Sequence, residues 1–278
     1  MILGVHASVR RGYDAALEEA KSLQCRSLQI LPYPRHHSPS SDELSTFNAA
    51  RRAAGVRILL VHSRFVPSLA SSDAVRRKRS VDHLANELTL TAALGGDAYV
   101  IHGGAYSEDS SLETGIKLFA ESVRMAVQQS SSRTPLLLEN VPGGGRRMGG
   151  SLEELARLHD ALKPFVPELG VCLDTAHAYA AGYDCSSAEG ALKFLARAHR
   201  LLGFEAVKAF HLNDSRALLG SHREHHEHWG KGRLGSEGLK ALLDRSEFAG
   251  LPGILETPKD GLDADRANLE FARKLTVV

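Results

Sequence analysis

Cysteine is scarce in this chain, and its arrangement excludes two common kinds of site. The three cysteines, Cys25, Cys172 and Cys185, are far apart and form no CxxC pair. An odd number of widely spaced cysteines argues against a disulfide framework, and the missing pair argues against a thiolate zinc site. We therefore expect a protein of a reducing compartment, the cytoplasm.

Long apolar runs are also missing. No stretch approaches the roughly 20 apolar residues that a membrane helix needs, so we expect no membrane partner. The first residues, MILGVHASVRRGYD, place no charged segment before an apolar run, and no secretory signal is expected. The formal net charge of +1 neither demands nor excludes a polyanionic partner. The glycine-rich segment 143–150 lacks the spacing and the Lys-Ser/Thr ending of a P-loop.

The sequence does contain a regular alternation of short apolar runs and longer amphipathic stretches. The apolar runs predict strands at 1–7, 26–31, 56–62, 97–102, 135–140, 169–177, 206–212 and 253–257. The amphipathic stretches predict helices at 12–23, 41–54, 73–94, 110–130, 151–163, 186–202, 235–246 and 264–274. Eight alternating units indicate a parallel sheet closed into a (β/α)8 TIM barrel. Because no long linker divides the chain, we interpret residues 1–278 as one domain.

Ionisable side chains recur where the predicted strands end. In a TIM barrel these ends form one face, on which the active site is built. The segment SHREHHEHWGKG (221–232) follows the seventh strand and can fold over the same face. Without a cation, carboxylates packed there would repel one another and imidazoles would be costly to desolvate. The pattern therefore predicts a metal site formed by His62, His102, Glu139, Asp174, His177, His211 and Glu256.

The predicted ligands also limit the metal. With Glu224 and His226 from the histidine-rich segment, there are too many ligands for one ion, which indicates two or three ions. Imidazoles and carboxylates without thiolates suit Zn²⁺, with Mn²⁺ or Fe²⁺ as alternatives. Multinuclear sites of this kind activate water and stabilise both the entering and the leaving oxygen in phosphoester hydrolysis.

Several motifs resemble the endonuclease IV family of metal-dependent apurinic/apyrimidinic (AP) endonucleases. The resemblance covers nearly the whole chain from GVHAS (4–8), and rests on LLLEN (136–140), CLDTAHAYAAGYD (172–184), FHLNDS (210–215), HEHWGKG (226–232) and LETP (255–258). It implies a TIM barrel with three zinc ions that acts in base excision repair of double-stranded DNA. The implied reaction hydrolyses the phosphodiester 5′ to an abasic site and leaves a 3′-hydroxyl and a 5′-deoxyribose phosphate.

The same resemblance implies a role for each residue of the site. Glu139 would bridge two ions, and Glu256 would orient or deprotonate the attacking water, which makes both catalytic candidates. The implied ligands are His62, His102 and Glu139 for the first ion, Glu139, Asp174, His211 and Glu256 for the second, and His177, Glu224 and His226 for the third. We expect the protein to act as a monomer.

The sequence departs from the family pattern in its loops. Glu224 stands where the family has aspartate in an Asp-x-His motif. The loop LPYPRHH (31–37) is shorter than the family's, and Arg35 is its candidate for the arginine that enters the DNA stack. Phe65 and Val66 are candidates for a pair that wedges into the minor groove, with ordinary packing beneath the loop as the alternative. The basic run RRKRS (76–80) is either a solvated helix face or a phosphate-contacting patch.

Two other classes of function are open to this sequence. A sugar isomerase or epimerase of the xylose-isomerase-like type would share the barrel and need roughly one ion, for which Glu139, Asp174, His211 and Glu256 would suffice. Such an enzyme has no use for the four additional histidines among the predicted ligands, which are His62, His102, His177 and His226. A DNA-damage binding module without activity would be expected to have lost metal ligands, whereas here Glu224 alone departs from the pattern.

Overall fold

The computed structural model describes residues 1–35 and 37–276, and its strands form a closed barrel of eight parallel strands. The barrel strands are β1 (Ile2–His6), β2 (Ser27–Ile30), β3 (Ile58–His62), β4 (Ala98–His102), β5 (Leu136–Glu139), β6 (Leu169–Asp174), β7 (Val207–His211) and β10 (Pro252–Leu255). Their order around the barrel is β1-β10-β7-β6-β5-β4-β3-β2, which confirms the predicted TIM barrel. The short strands β8 (Asp214–Ser215) and β9 (His226–Glu227) pair antiparallel within the connection from β7 to β10.

Helices surround the barrel because each amphipathic stretch packs its apolar face against the strands. The helices are α1 (Tyr13–Ser22), α2 (Ser41–Ala53), α3 (Ala74–Ala93), α4 (Leu112–Ser130), α5 (Leu152–Leu162), α6 (Thr175–Ala181), α7 (Ala188–Leu202), α8 (Gly235–Leu243) and α9 (Leu262–Leu275). Within the described ranges, none of them combines the length and the apolar character that a membrane-spanning helix requires.

The sixth predicted strand, 169–177, is wrong at its end. The strand stops at Asp174 and α6 begins at Thr175, so the connection to β7 contains two helices instead of one. The Asp174 Oδ1 atom accepts a hydrogen bond from the backbone N–H of His177 at 2.7 Å, which is the bond of a helix N-cap. An apolar run this short does not distinguish strand from helix, and the cap decides the boundary. His177 consequently lies in the first turn of α6 and not at a strand end.

The barrel interior is a small packed core of its own. Parallel strands covered by helices are buried on both faces, which explains the continuous apolar runs in the sequence. The side chains that fill the interior are Leu60, Ala98, Val100, Leu137, Cys172, Ala209 and Ile254. This layer supports the mouth of the barrel, where the ionisable side chains lie.

Closure of the barrel between β1 and β2 depends on a glycine. A Cβ atom at Gly4 would lie 1.9 Å from the backbone carbonyl oxygen of Ser27, the residue with which Gly4 is in register. Backbone atoms cannot move aside as the end of a flexible side chain can. Only a residue without a Cβ atom therefore allows the two strands to pair here.

We predict that Gly4→Ala lowers the free energy of unfolding by about 1–3 kcal/mol or more, because an overpacked site usually costs this much. Gly250→Ala is the matched control, because a Cβ atom there has nothing within 4 Å. The measurement is the free energy of unfolding in urea. Equal stability of the two variants would show that the strands can separate to admit a methyl group.

Candidate metal centre

The carboxyl ends of the strands bring together three groups of facing nitrogen and oxygen atoms. In each group the ligand atoms all lie within 4.8 Å of one another. The groups are His62, His102 and Glu139; Glu139, Asp174, His211 and Glu256; and Asp174, His177 and His226. Glu139 belongs to the first two groups, and Asp174 belongs to the last two. The three groups thus form one continuous cluster, which contains every predicted ligand except Glu224.

The first group is formed by the ends of β3, β4 and β5. The Nε2 atoms of His62 and His102 lie 3.0 and 2.9 Å from the same carboxylate oxygen, Glu139 Oε2. His102 and Glu139 are neighbours in register, so the parallel pairing of β4 and β5 places them side by side. The Nδ1–H of His62 donates to the carbonyl oxygen of Ser63 at 2.9 Å. This bond leaves Nε2, the nitrogen that faces the carboxylate, as a potential metal ligand.

In the second group, one ring nitrogen of His211 faces two carboxylates. Its Nδ1 atom lies 3.0 Å from Glu139 Oε1 and 3.2 Å from Glu256 Oε2. Its other nitrogen, Nε2, donates to Gln29 Oε1 at 2.8 Å, while Gln29 Nε2 donates to Glu256 Oε1 at 2.6 Å. Because one nitrogen faces two carboxylate oxygens, either a proton on Nδ1 or a metal ion shared with the carboxylates would stabilise this arrangement.

The charges within the cluster keep its carboxylates ionised. Burial alone would raise the pKa of Glu139, but the imidazoles of His211 and His102 hold it well below its usual value. Burial would also raise the pKa of Glu256, whereas the charge of His211 is the main influence that lowers it to about 2. Burial alone would lower the pKa of His62, and its hydrogen bond to Glu139 raises it. Metal ligation requires ionised carboxylates, and these two meet that requirement.

The third group contains two buried nitrogen atoms that have no hydrogen-bond partner in residues 1–35 and 37–276. The Nδ1–H of His177 donates to the carbonyl oxygen of Asn140 at 2.9 Å, and that of His226 donates to the carbonyl oxygen of Glu256 at 3.1 Å. The Nε2 atoms of both histidines are buried and, among the described residues, have no hydrogen-bond partner. Such atoms are costly unless they bind something. With Asp174 Oδ2 only 3.7 Å from His226 Nε2, the group fits a metal ion.

Glu224, the remaining predicted ligand, lies at the edge of the third group. Its carboxylate Oε1 atom is 3.8 Å from the Nε2 atom of His177, and its side chain is 52% exposed. The neighbouring His177 lowers the pKa of Glu224 to about 2. In the structure, Asp174 is therefore the carboxylate in contact with both histidines, and Glu224 approaches them from the solvent side.

Two asparagines hold the shared carboxylate of Asp174 in place. The backbone N–H of Asp174 donates to Asn140 Oδ1 at 2.7 Å, and Asn140 Nδ2 donates back to the Asp174 carbonyl oxygen. Asn213 Nδ2 donates to Asp174 Oδ2 at 2.6 Å, and Asn213 Oδ1 accepts from the backbone N–H of Glu256 at 2.7 Å. From its place after β7, Asn213 thus links the end of β6 to the end of β10.

Three further residues contact the site and were not among the predicted residues: His6, Gln29 and Asn140. Gln29 Nε2 lies 3.0 Å from His6 Nδ1, and burial lowers the pKa of His6 to about 4 although the charge of Glu256 opposes this. One signal could have indicated Gln29: it is an amide inside a strand, SLQI, that is buried along its whole length. A buried amide needs partners, and at a strand end those partners are other polar groups of the site.

The histidine-rich segment supplies the metal cluster with one of its four imidazoles. His226 contributes to the third group, whereas His222 donates from Nδ1 to the carbonyl oxygen of Pro142 at 2.7 Å. The Nε2 atom of His228 lies 3.0 Å from Asp260 Oδ2, and His225 is exposed. Three of the four histidines in this segment therefore lie outside the metal cluster, although the sequence groups them closely.

Asp214 anchors the segment that carries His226. Its buried carboxylate accepts hydrogen bonds from the backbone N–H groups of Ser215, Gly230, Gly232 and Leu234 at 2.7 to 3.1 Å. These bonds join the start of the segment at β8 to its end after β9. The anchor holds the β8–β9 pair against the barrel mouth and so positions the imidazole of His226.

The predicted DNA-contacting residues lie on the exposed loops of the same face. Phe65 and Val66 are 66% and 59% exposed, so neither is packed beneath its loop, and Arg35 is exposed in the turn after β2. The guanidinium of Arg64 lies 4.9 Å from the ring centroid of Tyr33 and also donates to the Tyr33 carbonyl oxygen. Arg64 thereby connects the loop that carries Arg35 to the loop that carries Phe65.

Comparison with known proteins agrees with this architecture. The family model for the xylose isomerase-like TIM barrel matches residues 17–275. "Probable endonuclease 4" of Chloroflexus aurantiacus is 34% identical over 278 residues, covering 98% of this chain and 97% of the relative. The crystal structure of endonuclease IV from Thermus thermophilus superposes with a TM-score of 0.84 at 34% identity, covering 99% and 98% of the two chains. D-psicose 3-epimerase from Clostridium cellulolyticum H10 has a TM-score of 0.73 at 15% identity, covering both chains fully, and shares the fold.

The fold and the mouth cluster define a xylose isomerase-like TIM barrel whose clustered His, Asp and Glu side chains could bind metal ions. Within that class, identity of about one third over the full length of two relatives is decisive. The chain belongs to the endonuclease IV family and is an enzyme of that type.

We predict that Asp214→Asn lowers the free energy of unfolding by about 1–3 kcal/mol. The substitution turns one acceptor oxygen into an N–H₂ group that faces backbone donors, and it leaves buried N–H groups unsatisfied. Asp244→Asn is the control, since Asp244 is half-exposed and pairs with Lys240 one helical turn away. If urea denaturation gives the same stability for both variants, the anchor contributes nothing.

Proposed function

We propose that this protein hydrolyses the phosphodiester 5′ to abasic sites in duplex DNA through a centre of three zinc ions. The observation that carries this proposal is the continuous cluster in which Glu139 and Asp174 are each shared by two groups of ligands. Shared carboxylates are typical of multinuclear centres, because one carboxylate offers two oxygens to two ions. The family membership supports DNA as the substrate, since the relatives are named as endonucleases.

The donor set favours zinc at each group. Each group offers at least one imidazole together with at least one carboxylate, and no cysteine belongs to any of them. Zinc ions bound there would supply Lewis-acid neutralisation of the phosphate and would lower the pKa of water. In this proposal Glu224 completes the third site from the loop, and its longer side chain spans the remaining distance to His177.

Glu256 is the carboxylate best placed to orient and deprotonate a water molecule. Its side chain is 17% exposed, whereas Glu139 and Asp174 are fully buried, so Glu256 alone of the three reaches the open mouth. Gln29 holds Oε1 of Glu256 at 2.6 Å and thereby fixes the direction of the carboxylate. Its lowered pKa keeps the Glu256 carboxylate ionised at neutral pH, so it would accept a hydrogen bond from the attacking water and orient it.

The exposed pair Phe65 and Val66 would bind the distorted duplex. Large apolar side chains at 66% and 59% exposure are unfavourable in water, and insertion between base steps would bury them. A missing base leaves a gap in the stack, so insertion is easiest at the lesion. Arg35, exposed on the neighbouring loop, would contact the same region of the duplex.

The sugar isomerase alternative uses a smaller part of the cluster. The second group, with Gln29 as its amide partner, is sufficient for one ion. A single ion in the second group would leave the Nε2 atoms of His177 and His226 without a ligand, and these atoms have no hydrogen-bond partner among the described residues. The first and third groups therefore favour phosphoester hydrolysis over isomerisation.

The direct test is incubation of the purified protein with a duplex that carries one abasic-site analogue, with and without a chelator. We expect the protein to nick the strand 5′ to the lesion and the chelator to abolish this cleavage. Metal analysis of the same sample should give nearly three ions per chain. Turnover of a ketose with about one ion and an intact duplex would instead support the isomerase.

His226 and His225 provide a matched pair of variants. We expect His226→Ala to lower kcat by about 100-fold or more and to reduce the metal content, because the third group loses its only loop imidazole. His225→Ala removes an exposed neighbour of the same type and should retain wild-type metal content and activity. Equal losses in the two variants would count against a specific role of the third group.

Phe65→Ala should raise KM for abasic duplex by about tenfold, the order expected when one stacking contact is lost. The control is Phe165→Ala, which removes an exposed phenylalanine in the connection before β6, at the other end of the barrel. Steady-state cleavage of the same duplex measures both. An unchanged KM in Phe65→Ala would exclude the wedge.

A further inference from the structure

Helix α3 carries four consecutive basic residues in its first two turns, and two of them have no partner in the described part of the chain. Arg77 donates to a carbonyl oxygen in the preceding loop, and Lys78 pairs with Asp82 at 2.8 Å. Arg76 and Arg79 are exposed, and no described carboxylate is within ion-pair distance of either. The helix therefore presents two guanidinium groups that are available to an external ligand.

These two arginines share one face of α3 with His83. Residues three and four positions apart lie on the same side of a helix, so the spacing 76, 79 and 83 forms a stripe. Because α3 follows strand β3, its N-terminus lies at the mouth of the barrel. Arg79 is five residues from the start of the helix, about 8 Å along its axis at 1.5 Å per residue. The stripe consequently begins at the rim of the face that carries the metal cluster.

His83 connects this stripe to both predicted DNA-contacting loops. A cavity of about 230 Å³ is lined by His83 together with Phe65 and Val66. A second cavity, of about 390 Å³, is lined by His83 together with Tyr33 and His37 from the loop after β2. The basic stripe is thus continuous with the surface that is proposed to hold the lesion.

Each acidic group near the stripe has a contact other than the two guanidinium groups, and the nearest is Asp73, whose pKa is lowered by its backbone hydrogen bonds and by the charges of Arg76 and Arg79. Asp73 caps α3 by accepting the backbone N–H groups of the first helical turn at 2.9 and 3.1 Å. Asp82 pairs with Lys78, Asp109 accepts from the hydroxyl of Ser72, and Glu43 faces the imidazole of His37. The N-terminal end of the helix dipole adds further positive potential. The surface around Arg76 and Arg79 therefore favours an anion.

We propose that Arg76 and Arg79 form a phosphate-binding track that holds the duplex backbone beyond the Phe65–Val66 pair. The inference rests on the proposed function, since it extends the DNA surface of the same site. Guanidinium groups bind phosphate oxygens with two parallel hydrogen bonds, and such contacts fix the register of the duplex without reading its sequence. The track lengthens the footprint on DNA, while the chemistry stays at the metal cluster.

The test compares two pairs of arginines that carry the same charge. Arg76→Gln/Arg79→Gln removes two charges from the track, and Arg52→Gln/Arg57→Gln removes two exposed charges at the end of α2 and the start of β3, on the opposite end of the barrel. Arg76→Lys/Arg79→Lys keeps the charge and controls for the loss of the side chains. Binding of an undamaged fluorescent duplex is measured by anisotropy between about 50 and 200 mM salt.

Each phosphate contact contributes about 0.9 to the slope of log K against log salt, so the track variant should lose about 2 from the magnitude of this slope. The opposite-end variant and the lysine variant should keep the wild-type slope. A track variant with the wild-type slope would overturn the proposal. Cleavage of abasic duplex by the wild type is assayed in parallel, and its absence would refute the proposed function while the anisotropy comparison still decides the track.

Discussion

The structure depends on the stabilisation of buried carboxylates at the mouth of the barrel. Glu139 and Asp174 are fully buried, and each belongs to two groups of ligands. Ionised carboxylates without compensating charge are very costly in such surroundings. The imidazoles around them provide that compensation, and bound cations would provide it more completely. Much of the polar structure at this face can be understood as a means of keeping these two side chains in position.

The barrel meets this requirement through register and through amides. Parallel pairing sets His102 beside Glu139 and Asp174 beside His211, so each of these two acids has an imidazole in register on a neighbouring strand. Amides then orient what the strands bring together. Gln29 bridges His211 and Glu256, and Asn213 bonds both Asp174 and the backbone of Glu256. Carboxamides suit this work because each can donate and accept at once without adding charge to an already crowded site.

The sequence predicts the strands and most of the cluster well because both follow local rules. Apolar runs mark buried strands, and the residue that ends each run points to the shared face. The amide network could not be predicted in this way, since Gln29 and His211 are 182 residues apart and nothing near either residue indicates the other. The predicted end of the sixth strand, at residue 177, was wrong for a similar reason. The cap at Asp174 depends on a side chain that is itself held by Asn213, 39 residues further along the chain, in the connection after β7.

The third group of ligands differs from the other two in how it is supported. Its members Asp174 and His177 belong to β6 and α6, whereas His226, like the neighbouring Glu224, belongs to a connection that is held by the β8–β9 pair and by Asp214. A ligand on such a connection can be adjusted without disturbing the barrel. Under the proposed function, Glu224 on this connection would serve where the resemblance implies an aspartate. Its carboxylate lies 3.8 Å from His177 Nε2 on the exposed side of the group, so the longer side chain would change the approach to the site and leave the buried ligands in place.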